Sequence, residues 1–299
     1  VITRPDLKAV SDSATMDAGT EWSRLTGRPR VDGLGESKFS LVGRQIDMWS
    51  KQRKLERVLS ADSARAVNDE VTLASDTIDL RLVDQQLSRA YAWGRSRARA
   101  HATDRDIVAD SIDVRMPGQL LQELRALRGA SATSRTDTTR FVSTENDWLK
   151  GDTIVATFDS VRTAGDSTAK AAIKSILAIG SAASFYQVSS SQGAKAAPNL
   201  NYVKGKAITL AFGADHTVGT VSVREKASGV YLELEPPDSL KADTSAAPGT
   251  PGTPGTPAAR AARAARGAQP PSVKPTTPAA KSPPSARPAV PPTAPGRKP

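Results

Sequence analysis

One eight-residue phrase returns along this chain, and its repetition narrows the possible folds more than any other feature. It reads SDTIDLRL at 75–82, ADSIDVRM at 109–116, GDTIVATF at 151–158 and GKAITLAF at 205–212. Aligned on its isoleucine, the series is Ile46, Ile78, Ile112, Ile154 and Ile208, at spacings of 32, 34, 42 and 54 residues. A small residue stands three positions before each: Gly43, Ser75, Ala109, Gly151 and Gly205. After each phrase comes an Ala/Gly-rich one, such as YAWGRSRA at 91–98 or ALRGASAT at 126–133. A pair of segments repeated about five times is one supersecondary unit stacked on itself.

The phrase alternates with period two, which predicts strands. Ile78, Leu80 and Leu82 share one face, and Asp79 and Arg81 take the other. The same register groups Ile112, Val114 and Met116 against Asp113 and Arg115. Ile46 and Met48 open the series; Ile154, Ala156 and Phe158, then Ile208, Leu210 and Phe212, continue it. A slip of one residue would reverse every face, so the repetition fixes the register. Turns are expected at Pro117-Gly118 and at 213–215, and more weakly at Asp84-Gln85 and 50–53. The stretch DSTAKAAIKSILAIG at 166–180 suits either a short helix or an extended segment entering a strand. Strands with one apolar face close, stack as a solenoid, or fold over as one sheet. The inward set is aliphatic, and aromatic residues make up only 4% of the chain, which suits a narrow, two-walled interior.

Composition divides the chain in two. From 246 to 299 lie 15 of the 21 prolines, 8 lysines or arginines and no acidic residue. That segment reads as a disordered basic tail, starting at about 237, behind a folded body over 1–236. The net charge is +10 and the tail carries 8 of it, so the body is close to +2. A nearly neutral, aromatic-poor body argues against nucleic acid as the main ligand. Without cysteine there is no thiol catalysis, Cys-based zinc site or disulfide framework. No apolar run reaches the ~18 residues of a membrane span. The sequence starts at Val1 without an initiator methionine, so a truncated N-terminus is an open expectation.

The recurrent D-[ST]-I-D phrase, followed by its Ala/Gly-rich companion, resembles the OstA-like domain family. That family includes LptA, LptC and the N-terminal domain of LptD, which carry lipopolysaccharide across the periplasm. The resemblance covers roughly 35–236, and LNYVKGKAITLAF at 200–212 is similar to the family's closing segments. It implies a twisted β-jellyroll, a folded-over antiparallel sheet open along one edge, with a disordered C-terminal tail appended. It implies a periplasmic location and acyl chains held by Ile46, Met48, Ile78, Leu80, Leu82, Ile112, Val114, Met116, Ile154, Phe158, Ile208, Leu210 and Phe212. It further implies partners of the same family, or a second copy, joined through edge strands. Insertions at 161–170 and 189–199 depart from the family pattern, as does the tail, whose arginines and lysines suit anionic envelope polymers.

Each feature also has a plainer explanation. The aliphatic stripe is equally what a closed core looks like. Such a core would make the chain an envelope scaffold with no lipid ligand. Asp47, Asp79 and Asp113 lie a strand apart, too far for a metal loop, and are expected on a solvated sheet face. Arg95, Arg97 and Arg99 alternate with Ser96, Ala98 and Ala100. They are candidates for phosphate contacts and equally for a charged guard on an exposed strand. The two histidines, His101 and His216, have no Ser–Asp companions, and no phosphate-binding glycine loop is present. The expectation is a non-enzyme with no cofactor and no metal.

Overall fold

The computed structural model describes residues 1–34, 38–68, 71–136, 143–161, 170–188, 197–213 and 218–233. The tail, its boundary at 236/237, His216, most of both insertions and the turn at 214–215 lie outside the described residues. Among the described residues, seventeen strands form one sheet in which every pairing is antiparallel. The N-terminal strands are short: β1 (Ile2–Arg4), β2 (Leu7–Val10), β3 (Ser13–Asp17), β4 (Trp22–Thr26), β5 (Arg30–Gly33), β6 (Phe39–Val42) and β7 (Gln45–Lys51). The middle ones are long: β8 (Lys54–Val67), β9 (Thr72–Val83), β10 (Gln86–His101), β11 (Arg105–Arg115), β12 (Glu123–Ser134), β13 (Asp147–Val161), β14 (Lys170–Val188) and β15 (Asn199–Phe212). Two short strands follow, β16 (Val218–Arg224) and β17 (Ser228–Leu232).

The pairing shows a sheet folded over along one line. β8 pairs with β7 through its first half and with β6 through its second. β15 likewise pairs with β16 through residues 207–212 and with β17 through 200–204. In between, the ladders from β8 to β15 show register shifts at matching places, between Ala61 and Ala64, Trp93 and Ala98, Val108 and Ser111, Leu127 and Ala130, Lys150 and Thr153, and Ile179 and Ala182. Aligned bulges bend a sheet along a seam. The result is an antiparallel meander in which each bent strand contributes to two walls.

The repeated phrase supplies the seam. In β9, Ser75 and Ile78 are both buried although three positions apart, because Asp76 is an extra residue at the bend. Asp110 and Asp152 occupy the same place in β11 and β13. The small residues of the series meet alanines across the bend: Ser75 with Ala64, Ala109 with Ala98, Gly151 with Ala130 and Gly205 with Ala182. Neighbouring strands turn the seam with two consecutive left-handed residues: Gly27-Arg28, Asp62-Ser63, Arg128-Gly129, Gly180-Ser181 and Glu225-Lys226. The extra residues tie the bend down. Asp12 pairs with Arg28, Lys206 with Glu225, and Asp76 accepts the backbone N–H groups of Arg95 (2.6 Å) and Ser96 (2.8 Å). The Ser96 N–H, foremost, holds the Asp76 carboxyl below the ordinary Asp range.

Gly180 shows the strain such a turn carries. Its φ is +78°, and a Cβ there would run into the Asp152 carboxylate. Gly180→Ala is expected to lower stability by about 1–2 kcal/mol in urea unfolding. Gly118→Ala, at φ +61° with open space around it, is expected to show only the backbone part, about 1 kcal/mol. Equal losses would mean that Asp152 yields freely.

Two turn expectations take a sharper form. Gln52-Arg53 and Asp84-Gln85 are two-residue hairpin turns with positive φ at both positions, the type I′ pattern, built without glycine. Pro117–Gln119 forms a single short 3₁₀ turn. At 170–180 the extended alternative holds, and a bulge explains the helix-like spacing. Phe158 pairs with Ile173 and Thr157 with Ser175, so Lys174 is skipped and Ile173 and Ile176 share a face. Ile179 turns outward and is 42% exposed.

Candidate functional site

The interior lies between an isoleucine wall and an alanine wall. Across the first, one register row runs Leu25, Ile46, Ser60, Ile78, Ala92, Ile112, Ala126, Ile154, Ala178 and Ile208. From Ile46 onward large and small residues alternate because the repeated phrase occupies every second strand, and every member of the row is buried. Ser60 fits this apolar row by donating its hydroxyl to the Val42 carbonyl at 2.9 Å. The facing row runs Ala9, Val31, Leu41, Ala66, Leu73, Ala100, Ile107, Ala132 and Leu149. One apolar cluster joins both walls. Near the seam the walls are packed against each other.

Farther from the seam they part. A cavity of about 310 Å³ opens between them, lined by Leu80, Leu87, Ala90, Val114 and Leu124 of the isoleucine wall and by Phe39, Ala66, Leu73 and Ala100 of the alanine wall. The loop after β11 leaves one wall and contributes Met116, Gln119, Leu120 and Leu121 to the lining. This volume lies at the low end of small-ligand pockets, ~300–1,000 Å³.

The thirteen predicted residues divide by depth. Ile46, Ile78, Ile112, Ile154 and Ile208 are the packed floor, with Met48 buried beside them. Leu80, Val114 and Met116 line the cavity. Leu82 is buried opposite Leu87, while Phe158 and Leu210 are partly buried against the core. Phe212 is half-buried. Sequence reasoning passed over Leu87, Leu124 and the pair Leu120-Leu121. An apolar pair directly after a Pro-Gly turn, where polar residues are usual, was the available signal.

The outer face of the isoleucine wall corrects an expectation. Asp47, Asp79 and Asp113 do point away from the isoleucines, but they are 5%, 4% and 6% exposed and so are not solvated. Arginines from neighbouring strands cover them. Arg24 Nε donates to Asp47 at 2.6 Å, Arg57 Nε to Asp79 at 2.7 Å, and Arg89 to both oxygens of Asp113 at 2.7 and 2.8 Å. The same guanidiniums lie over Trp22, Trp49 and Tyr91 at 5.1, 4.8 and 5.6 Å from the ring centroids. Hydrogen bonds to Asp47, Asp113 and Glu123 push Arg24, Arg89 and Arg125, respectively, above the ordinary arginine range. These three guanidiniums stay protonated.

Arg95, Arg97 and Arg99 are all exposed, but they do not form one continuous face. The seam falls between Trp93 and Ala98 and interrupts the alternation. Arg95 is held in the bend by its backbone. Arg97 donates to the carbonyls of Val108 (3.3 Å) and Gly129. Arg99 alone stands on the alanine wall's outer face, in one row with Arg65, while Lys150 and Lys204 continue that row on β13 and β15. Among the described residues, no group of three or more His, Asp or Glu is arranged to hold a metal ion. His101 Nδ1 sits 2.5 Å from Asp106, exposed and away from the cavity.

No family model matches the chain, and no curated protein matches it. Solved structures that match include the crystal structure of LptH, the LptA homologous periplasmic component of the conserved lipopolysaccharide transport device from Pseudomonas aeruginosa. Identity is 16% and the TM-score 0.33, over 40% of this chain and 84% of that chain. A likeness of that size carries no weight for function, and the fold rests on its own strand pairing.

Proposed function

We propose that this protein binds and hands on an acylated glycolipid, of which lipopolysaccharide is the type, in the periplasm. One observation carries the reading: the walls are sealed at the seam yet leave an apolar cavity at the open side, lined by aliphatic groups of both. A water-filled cavity of that lining is unfavourable unless an apolar ligand fills it. The five repeated isoleucines act as the floor that sets the spacing of the walls. An acyl chain lies above them, against Leu80, Val114, Met116 and Leu121, with its polar head at the mouth. The mechanism is passive, and direction comes from partners.

Those partners pair with the ends of the sheet. β3 at one end and β17 at the other are exposed at every residue, and Val230, Tyr231 and Leu232 are all more than half exposed. Edges of this kind, without a further strand among the described residues, accept one from a second copy or a related protein. The fully packed isoleucine row favours the other reading, a scaffold with a closed core.

Photocrosslinking separates the two. A photoreactive residue at Met116 is expected to capture lipopolysaccharide, and one at Arg65, on the outer face of the alanine wall, is not. Absence of a crosslink at Met116, in a chain with native circular dichroism, would leave the scaffold.

A further inference from the structure

The chain has four tryptophans, and none lies between the walls. Trp22, Trp49 and Trp93 are on the outer face of the isoleucine wall, on β4, β7 and β10, and Trp148 is on the outer face of the other wall. On the same outer face one register row carries Arg57, Arg81, Arg89 and Arg115 on four adjacent strands. Adjacent strands lie ~4.8 Å apart, and like charges directly opposite each other are unfavourable. The buried carboxylates beneath offset this only in part. From β4 to β12 the two outer rows hold six arginines (Arg24, Arg57, Arg81, Arg89, Arg115 and Arg125) against four acids (Asp47, Asp79, Asp113 and Glu123). The four arginines of the row remain 38–55% exposed while their Nε atoms are drawn towards Asp79 and Asp113.

We propose that this arginine–tryptophan face docks the protein onto an anionic phospholipid membrane surface. The charge excess is complementary to a phosphate-bearing layer, and guanidinium is the side chain best matched to phosphate. Carboxylates fix the arginines from below, so little side-chain freedom is lost on contact. Trp and Tyr, apolar in body and polar at the tip, are the residues that rest at a lipid–water boundary. The proposal stands apart from the acyl-chain cavity, which opens on the opposite face of the same wall, so either holds if the other fails.

The test is flotation of the full chain with phosphatidylcholine vesicles, with and without a one-third share of phosphatidylglycerol. The decisive variants are Arg81→Gln with Arg115→Gln. Each leaves its aspartate a partner, Arg57 for Asp79 and Arg89 for Asp113, so the fold is retained. Arg65→Gln with Arg99→Gln removes the same charge from the opposite wall and leaves the basic tail unchanged. Two arginines near an anionic surface correspond to roughly 30-fold in partitioning. The first pair is expected to show a loss of that order, and the second less than about threefold. Binding of the parent chain is expected to fall at ~1 M salt, where the Debye length is ~3 Å. Equal losses from both pairs would mean unspecific charge attraction and would overturn the proposal, as would equal binding to pure phosphatidylcholine. A selective loss on immobilised polyphosphate, with none on vesicles, would assign the face to a soluble polyanion and also overturn it.

Discussion

Ile112→Ala is expected to destabilise the protein by about 3–4 kcal/mol, within the 2–5 kcal/mol range of such truncations. A value no lower than the middle of that range applies because Ile112 is fully buried and its cross-strand neighbours in the same row are Ala92 and Ala126. Alanines have nothing to extend into the space left behind, so the cavity stays open. The alanine wall opposite is no better able to collapse, since its bend-side residues Ala98, Ala109 and Ala130 are themselves minimal. Val114→Ala, at the cavity margin, removes less surface from a site that is already loosely filled and is expected to cost about 1 kcal/mol. Urea denaturation of the two variants reads both numbers. Their difference also bears on function. A floor residue should change stability far more than lipid capture, and a mouth residue should do the reverse. Equal and small losses from both would mean that the seam-side interior is open to solvent.

The repeated phrase was legible as strand, and its register buries the recurrent isoleucine in every copy, because a period of two leaves only one way to bury the isoleucines. The small residue three positions earlier was visible too, although its meaning was not. Strict alternation places Ser75 on the opposite face from Ile78. Only an inserted residue, Asp76, brings both inside, and a bulge shows itself in pairing with a neighbour rather than along one strand. The same limit hid the character of 170–180, where a skipped Lys174 produces a spacing that resembles a helix. Two of the left-handed pairs at the seam escaped notice for a different reason. Asp62-Ser63 and Glu225-Lys226 contain no glycine, and their strain is offset by partners on adjacent strands.

The outer-face aspartates show where single-strand reasoning ends. An aspartate facing away from the core reads as solvated, and whether it is depends on what the next strand places over it. Asp113 makes this measurable. It accepts two hydrogen bonds from Arg89 and lies 3.9 Å from Arg115, while its register partners are Tyr91 and Arg125. Arg89 and Arg115 are themselves register partners, so Asp113→Ala leaves two guanidiniums facing each other with their shared counter-charge gone. Charge-assisted hydrogen bonds contribute about 1.5–3 kcal/mol, and breaking a buried pair from one side costs about 3–5 kcal/mol. Both guanidiniums keep water, at 39% and 49% exposure, so the loss falls between the lower ends of these two ranges. The expected loss is about 2–3 kcal/mol in urea unfolding, easing at high salt as the arginines are screened from each other. Asp113→Asn keeps an acceptor of the same shape and should recover about half. Adding Arg89→Gln to Asp113→Ala removes one of the opposed charges and should restore part of the stability, a coupling that a double-mutant cycle resolves. A loss below about 0.5 kcal/mol, or no coupling to Arg89, would mean that water already serves these arginines and that the buried carboxylate row does not hold the outer face together.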